Sequence, residues 1–303
     1  MSGHHNGPPD SNTPVTLPPE ILSKILDQIP TSNKGRRTLI SCALVATWWT
    51  GPSQRRLFSS VEINESNYRQ WVDGVVLSGS KEHLLEHVRS LGDRHILGKN
   101  YRMRNLVDDS GGYFPGLRNL HSLAFSYITV EHMGEGEFHT CFSAFRETLT
   151  SLSFDPFTTS FSAFVTLVGY FPNLTTLRLH SLTLKPDEGP VPQLSQPLRG
   201  KLHLHEASTD SLEFFRRFAK LDLEYEELAI DTLPGLTRSG FMQVALRVTP
   251  STVKILRLGA ELECKWPLPV LLIKPAPLLN ALTFKSMVRR GSAAFGNSES
   301  WNW

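Results

Sequence analysis

The chain has 303 residues, of which 40% are apolar, so it can bury a substantial core and is not disordered as a whole. Its 31 basic and 29 acidic side chains are interspersed and give a net charge of +2, which excludes a uniform field attracting nucleic acid or an anionic membrane. The three cysteines, Cys42, Cys141 and Cys264, are far apart, which argues against a disulfide framework and a thiolate metal site. We therefore expect an intracellular protein, cytoplasmic and/or nuclear, that binds neither nucleic acid nor membrane.

Residues 1–15 are polar and rich in Pro, Gly, Ser and Asn, without the basic and apolar regions of a signal peptide. We predict that they form a short disordered leader. No apolar run in the sequence approaches the roughly 18 residues that a membrane-spanning helix needs.

Three short helices are predicted after the leader. In "LPPEILSKILDQI" (17–29) the apolar residues recur at helical spacing as one stripe, and the two prolines mark the helix start because their fixed φ is already helical. The run "TLISCALVATWW" (38–49) predicts a second helix that ends at Thr50, Gly51 and Pro52, and "PSQRRLF" (52–58) predicts a third. "FSSVEI" (58–63) then predicts a strand, and we assign residues 61–87 to a helical connector.

A repeat follows, with the pattern apolar-x-x-Leu-x-apolar. It is carried by "LHSLAF", "LTSLSF", "LTTLRL", "YEELAI", "VKILRL" and "LNALTF", while "KLHLHE" fits if its first apolar position slips by one to Leu198. An earlier stretch, "VRSLGD" around Leu91, is interpreted as a degraded first repeat. The intervals between central leucines are 25 to 29 residues; these leucines are Leu123, Leu152, Leu177, Leu202, Leu228, Leu256 and Leu282.

One strand and one helix-like segment per interval predict a leucine-rich-repeat solenoid over residues 88–285, in which each unit hides its leucines by stacking on its neighbours. Short strands joined by helical crossovers pair in parallel, so we expect a curved α/β array with a parallel sheet on the concave side. An ordinary globular α/β domain would give no reason for such regular spacing. Residues 286–303 lose the repeat and are predicted to be a disordered or atypical tail.

The segment 17–58 resembles the F-box motif. The resemblance is carried by "LPPEIL", by "CALVATWW" and by "GPSQRRLF", in the order and spacing of that motif and ahead of leucine-rich repeats. The full chain also resembles fungal F-box-like proteins in "YFPNLTTLRLHSLTL" and "PLRGKLHLHEA". The fold class is therefore predicted as α/β, with a small all-α three-helix F-box over residues 16–60 followed by the solenoid.

The resemblance implies a substrate receptor of SCF ubiquitin ligases, which binds the Skp adaptor of a cullin-RING ligase and recruits an unknown protein substrate. Apolar anchors of the helices would enter a groove on the adaptor. The residues that the resemblance assigns to the F-box core and adaptor surface are Leu17, Pro18, Ile21, Leu22, Leu39, Leu44, Val45, Trp49, Leu57 and Phe58.

Periodicity alone leaves a second interpretation open. Three short amphipathic helices can also form an N-terminal cap that covers the first repeat of a solenoid. The protein would then be a leucine-rich-repeat scaffold that never meets a ligase.

The polar residues between the repeat leucines define a candidate substrate-binding surface, since side chains alternate across a strand. Their charges change sign from repeat to repeat, which suits a particular protein segment better than a polyanion. A merely solvated face is the alternative for each residue. The predicted substrate-binding residues are Arg178, His180, His203, His205, Glu227, Asp231 and Arg257.

Catalytic and metal sites are not predicted. His203 and His205 are two apart with Glu206 beside them, but no third ligand follows at a metal-site spacing. The stretch "EHMGEGEFH" (131–139) clusters ligand types within a glycine-containing loop that does not match HExxH. No GxSxG, P-loop or GxGxxG motif is present. We therefore expect a protein that is not an enzyme and needs no cofactor.

Overall fold

The computed structural model divides into two compact units. The described residues of the first lie within 17–57, and we call it the helical unit. Those of the second lie within 58–286, and we call it the sheet unit. Together they make a mixed α/β chain. The predicted leader, the tail after residue 286 and Asp231 lie outside the described residues. So do residues 240–248, one of the helix-like segments predicted between the repeat strands. The structure describes residues 17–30, 32–64, 66–76, 78–79, 81–93, 101–102, 116–130, 135–187, 193–205, 211–230, 252–260 and 281–286.

The helical unit consists of α1 (Pro19–Asp27), α2 (Asn33–Val45) and α3 (Thr47–Phe58), the last of which ends at the boundary between the units. Helix α1 begins directly after Pro18, with Glu20 in its first turn at the positive end of the helix dipole. The Ser32 side chain caps α2 by accepting a hydrogen bond from the Gly35 N–H at 3.4 Å.

The boundary between the second and third helices is not where the sequence placed it. Helix α2 ends at Val45, because Ala46 is extended, and α3 continues through Gly51 and Pro52. The Thr50 hydroxyl donates a hydrogen bond to the Ala43 carbonyl at 3.0 Å, which ties the new helix to the last turn of α2. The predicted break at residues 50–52 is therefore wrong, since tertiary contacts outweigh the local preference of Gly and Pro.

The core of the helical unit is small. Leu22, Leu26 and Leu39 are at most 2% exposed. The partly buried side chains that pack around these three leucines are Ile29, Cys42, Trp48, Trp49 and Leu57.

The sheet unit contains thirteen described strands with helices between some of them. Its helical segments are α4 (Tyr68–Trp71), a π-helical turn (Val72–Val76), α5 (Glu82–Leu85), α6 (Glu135–Phe142), a 3-10 turn (Ser143–Phe145), α7 (Phe161–Gly169) and α8 (Ser211–Phe218). Its strands are β1 (Ser60–Ile63), β2 (Ser90–Asp93), β3 (Tyr101–Arg102), β4 (Ser122–Phe125), β5 (Ile128–Val130), β6 (Ser151–Phe154), β7 (Phe157–Thr159), β8 (Thr176–His180), β9 (Leu182–Leu184), β10 (Leu198–His205), β11 (Leu223–Ile230), β12 (Ile255–Ala260) and β13 (Ala281–Ser286).

Nine of these strands form one parallel sheet in the order β1-β2-β4-β6-β8-β10-β11-β12-β13. The parallel sheet was predicted. Its central leucines are in register from strand to strand, and we call this row the leucine ladder. It comprises Leu91, Leu123, Leu152, Leu177, Leu202, Leu228, Leu256 and Leu282.

The irregular repeat at Leu198 coincides with a change of register between Gly200 and Lys201. Gly200 has a φ of +84°, and a Cβ atom there would lie 2.1 Å from the Thr175 carbonyl oxygen. Only glycine fits this position without strain, because both the positive φ and the close backbone approach exclude a side chain. The slip in the sequence pattern thus has a structural counterpart.

A second, four-stranded parallel sheet in the order β3-β5-β7-β9 was not predicted. Between β4 and β5 and between β8 and β9 the chain turns at Tyr127 and Ser181, whose φ values are positive. Strands of two or three residues are too short to show an alternating pattern in a sequence.

Buried aromatic side chains fill the sheet unit behind the ladder. Phe164 of α7 packs edge-on against Phe214 of α8 at 5.1 Å between ring centroids, and Phe145 stacks on Phe171 at 6.1 Å. None of the helices in the described ranges is long and apolar enough to cross a membrane.

Candidate functional site

The candidate site lies on one face of the nine-stranded sheet. It is formed by the side chains that alternate with the ladder leucines of β8, β10, β11 and β12. In β8, Leu177 and Leu179 are buried, while Arg178 is exposed and His180 is partly exposed. The same alternation in β10 leaves His203 and His205 partly exposed. This distribution follows from the pleat of a strand, which sends successive side chains to opposite faces.

Strand register brings the predicted residues into rows. Arg178, His203, Ala229 and Arg257 occupy equivalent positions on four neighbouring strands, about 4.8 Å apart. His180 and His205 occupy the next row on β8 and β10. Of the predicted substrate-binding residues, all except Asp231, which is outside the described residues, are therefore brought together on one surface.

Glu227 is the buried charge of this surface, with 7% of the residue exposed. Its carboxylate lies 3.2 Å from Lys201 Nζ and 2.9 Å from Arg257 Nε. Burial by itself raises the pKa of Glu227, but the hydrogen bond and charge of Lys201 and the charges of Arg257 and His203 outweigh it, so the pKa lies below its ordinary value. Glu227 is therefore a carboxylate clamped between cations from both neighbouring strands.

A second acidic side chain on this surface, Asp155, pairs with His180 of β8, the strand next to β10. The His180 Nδ1 atom is hydrogen-bonded to the Asp155 carboxylate, which follows β6 in the chain. The rings of His180 and His205 meet edge to face at 4.4 Å between centroids. Both acidic side chains, Asp155 and Glu227, thus engage basic groups of neighbouring strands.

We call these eight side chains the polar cluster. It presents both signs of charge and hydrogen-bonding imidazoles over four to five adjacent strands, an arrangement that can recognise a polar segment of another protein. Its members are Asp155, Arg178, His180, Lys201, His203, His205, Glu227 and Arg257.

Asp155 and Lys201 belong to the predicted concave surface between the repeat leucines, but the substrate-binding residues chosen from that surface do not include them. The sequence does carry a signal for Lys201, which precedes ladder residue Leu202 as Glu227 precedes Leu228. Their pairing depends on strand register, which the repeat period supplies once it is applied to the residues between the leucines.

The described residues of this surface were also considered as metal ligands. Among the residues that the structure describes, no group of three or more His, Cys, Asp or Glu side chains is placed to hold a metal ion. Glu206 and His132, which the metal hypotheses invoked, lie outside those residues.

The helical unit presents a surface of a different kind. Five large apolar side chains among its described residues are exposed, and we call them the exposed apolar set. Its members are Ile21 (44%), Ile25 (43%), Ile40 (51%), Leu44 (82%) and Val45 (72%).

The predicted adaptor-binding residues divide between surface and core. Ile21, Leu44 and Val45 belong to the exposed apolar set, and Pro18 is also exposed. Leu22 and Leu39 are buried inside the helical unit, where a partner cannot reach them. The remaining four, Leu17, Trp49, Leu57 and Phe58, are partly buried, and Phe58 packs against the core of the sheet unit.

The sequence missed Ile25 and Ile40 as candidate contacts. It assigned the apolar residues of α1 to one stripe, whereas the structure buries Leu22 and Leu26 and exposes Ile21 and Ile25. The four-residue spacing pairs Ile21 with Ile25, but it pairs the buried Leu22 with Leu26 equally well, so the sequence carries no signal that separates the two pairs.

No protein-family model and no curated protein matches this chain. The assignment of residues 17–58 to the F-box motif therefore stays a prediction from the residues that carry the resemblance.

Proposed function

We propose that the chain is an F-box substrate receptor of an SCF ubiquitin ligase. Residues 17–58 dock the Skp adaptor, and a leucine-rich-repeat solenoid built on the nine-stranded sheet recruits a protein target for ubiquitylation. Such a receptor works inside the cell, in the cytoplasm and/or the nucleus.

The observation that carries this proposal is the exposed apolar set. A three-helix unit with so small a core has few apolar side chains to spare, yet Leu44 and Val45 are 82% and 72% exposed. Large apolar side chains that stay exposed on one small unit are typical of protein interaction sites. Their presence within the very segment that resembles an F-box supports docking to the adaptor.

The polar cluster supports the second half of the proposal. Its rows run across strands β6 to β12 at the positions that alternate with the ladder leucines. Repeat proteins use such extended faces for binding. The central contacts that we assign to the target are Arg178, His203, His205 and Arg257.

The chain's contribution to ubiquitylation is proximity. By holding a target near the ubiquitin carrier of the ligase, a receptor makes the transfer effectively intramolecular, with a high local concentration. The receptor supplies geometry, and the bond-forming chemistry belongs to other subunits. It needs no catalytic residue or cofactor of its own.

Co-purification with a Skp adaptor tests the proposal. We expect the wild-type chain to bind and the Leu44→Gln variant to lose most binding, because this side chain is exposed and its replacement leaves the helical core intact. Gln70→Ala, an exposed substitution in α4, is the matched control and should bind as wild type does.

The rival scaffold, in which the helices only cap the solenoid, predicts the opposite results. A wild-type chain that fails to bind the adaptor, or a Leu44→Gln variant that binds as well as wild type, would reject the receptor. Far-UV circular dichroism of each variant establishes that it is folded.

A further inference from the structure

The exposed face of α2 is basic near residue 36 and apolar near residue 45. Residues four apart lie above one another on a helix, so this face consists of two rows. One row is Arg36, Ile40 and Leu44, and the other is Arg37, Ser41 and Val45; all six are exposed. Each row therefore begins with an arginine and ends with an apolar side chain, about 12 Å further along the axis.

The arginines lie where a helix by itself disfavours them. Arg36 and Arg37, with Lys34, are close to the amino-terminal end of α2, where the helix dipole is positive and anions are preferred. The first turn contains no acidic residue. Within residues 17–57 as described, no carboxylate pairs with any of these three cations. Folding of the helical unit therefore gives no reason for their position.

The helical unit is also the basic part of the chain. Residues 17–57 contain six basic and two acidic side chains, a surplus of four positive charges, whereas the whole chain has a surplus of two. The rest of the chain is therefore slightly acidic on balance. A partner with negative charge would be attracted to the helical unit in particular.

We propose that α2 docks in one direction on a protein surface that combines an apolar groove with an acidic patch at one end. Ile40 and Leu44 enter the groove, and Arg36 and Arg37 face the acidic patch at the end of α2 nearest residue 33. This inference rests on the proposed function, since it takes the Skp adaptor as the partner, and it adds the partner's chemistry and the docking direction.

An anionic lipid surface also attracts a helix with basic and apolar side chains, but the structure favours a protein. Membrane affinity grows with the apolar area that enters the lipid, and the exposed face of α2 offers only Ile40, Leu44 and Val45. The opposite face of α2 is occupied, since Leu39 is buried in the helical core.

Binding kinetics at several salt concentrations test the proposal. The full chain, the Arg36→Gln/Arg37→Gln variant and an Arg69→Gln/Lys81→Gln control would each be measured against a Skp adaptor. The control removes the same charge from exposed positions of the sheet unit. For Arg36→Gln/Arg37→Gln we expect an association rate about 3 to 10 times lower at low salt, with the difference shrinking below about twofold at high salt.

The dissociation rate should change less than about twofold, because rim charges act mainly on encounter. If the wild-type chain binds but Arg36→Gln/Arg37→Gln shows the salt dependence of the control, this inference is overturned and the receptor stands. If the wild-type chain does not bind the adaptor at any salt concentration, both fall together.

Vesicles of phosphatidylcholine with phosphatidylserine provide the lipid comparison. We expect no sedimentation of the wild-type chain with them. Sedimentation that Arg36→Gln/Arg37→Gln abolishes would assign the arginines to a membrane and overturn the docking proposal.

Discussion

Leu44 of the helical unit is 82% exposed, whereas Leu202 of the sheet unit is 0% exposed. Both lie in regular secondary structure, Leu44 in α2 and Leu202 in β10. In the sheet unit the ladder leucines of β4, β6, β8, β10 and β11 are buried in one core, whereas the side chains between them include the polar cluster. In the helical unit three leucines suffice for the core, and other apolar side chains face solvent. The side chains that we assign to partners are therefore polar in the sheet unit, whereas in the helical unit they are apolar side chains together with Arg36 and Arg37.

The largest expected effect is the difference in stability between alanine variants of these two leucines. Leu202→Ala should destabilise the sheet unit by about 2–5 kcal/mol, because it removes a fully buried side chain from the leucine ladder and leaves a cavity. Leu44→Ala should change the free energy of unfolding by less than about 0.5 kcal/mol. Denaturant titrations followed by circular dichroism measure both. Equal losses in the two variants would mean that Leu44 is a core residue and would remove the contrast.

The two units should also respond oppositely to alanine in place of glycine. Gly200→Ala should cost about 1–3 kcal/mol, because the residue has a positive φ and its Cβ would meet the Thr175 carbonyl. Gly51→Ala should stabilise by about 0.5–1 kcal/mol, since Gly51 lies inside α3 with open space around it. Thermal unfolding of the pair reports the sign of each change. A stable Gly200→Ala protein would contradict the register change at this position.

The smallest expected effect concerns the charge of Glu227. Breaking a buried ion pair costs about 3–5 kcal/mol, but the Lys201 and Arg257 side chains are 57% and 54% exposed, so we expect Glu227→Gln to cost about 1 kcal/mol. The folded pKa is lowered, so the stabilisation is complete above the ordinary carboxyl pKa, about 4.3, and is lost as the pH falls through the folded value.

Unfolding measured from neutral to acidic pH checks this sign. The difference in stability between wild type and Glu227→Gln should be constant near neutral pH and should shrink in acid. Glu226→Gln is the matched control, because the Glu226 side chain is 62% exposed and pairs only at the surface with Lys254. A difference that grows as the pH falls would show that the Glu227 pKa is raised instead.

Repetition made the sheet predictable from the sequence. The leucine spacing of 25 to 29 residues gave the strands, their parallel pairing and the polar positions between them, because one pattern was tested several times along the chain. The short strands of the second sheet carry too few residues for such a test. The pattern places Lys201 and Asp155 on the predicted surface, but it does not give their pairings with Glu227 and His180, since these contacts require the register of neighbouring strands.

The helical unit offered no repetition, and there the local details were missed. The sequence could not decide that Leu22 is buried and Ile21 exposed, because both belong to the same apolar stripe and differ only in their angle around α1. It also placed the break between the second and third helices at Gly51 and Pro52 instead of Ala46. Both choices depend on how three helices pack, and no single helix determines them.

The leucine ladder has a consequence for how such a chain can change in length. Each ladder leucine pairs with the equivalent leucine of the adjacent strand, from Leu91 to Leu282. Gain or loss of one whole repeat would leave every other pair intact, whereas a one-residue insertion within a strand would turn its leucine to the opposite face. The polar face of the sheet can therefore be lengthened or shortened in steps of about one strand, and the chain's natural unit of variation is the repeat.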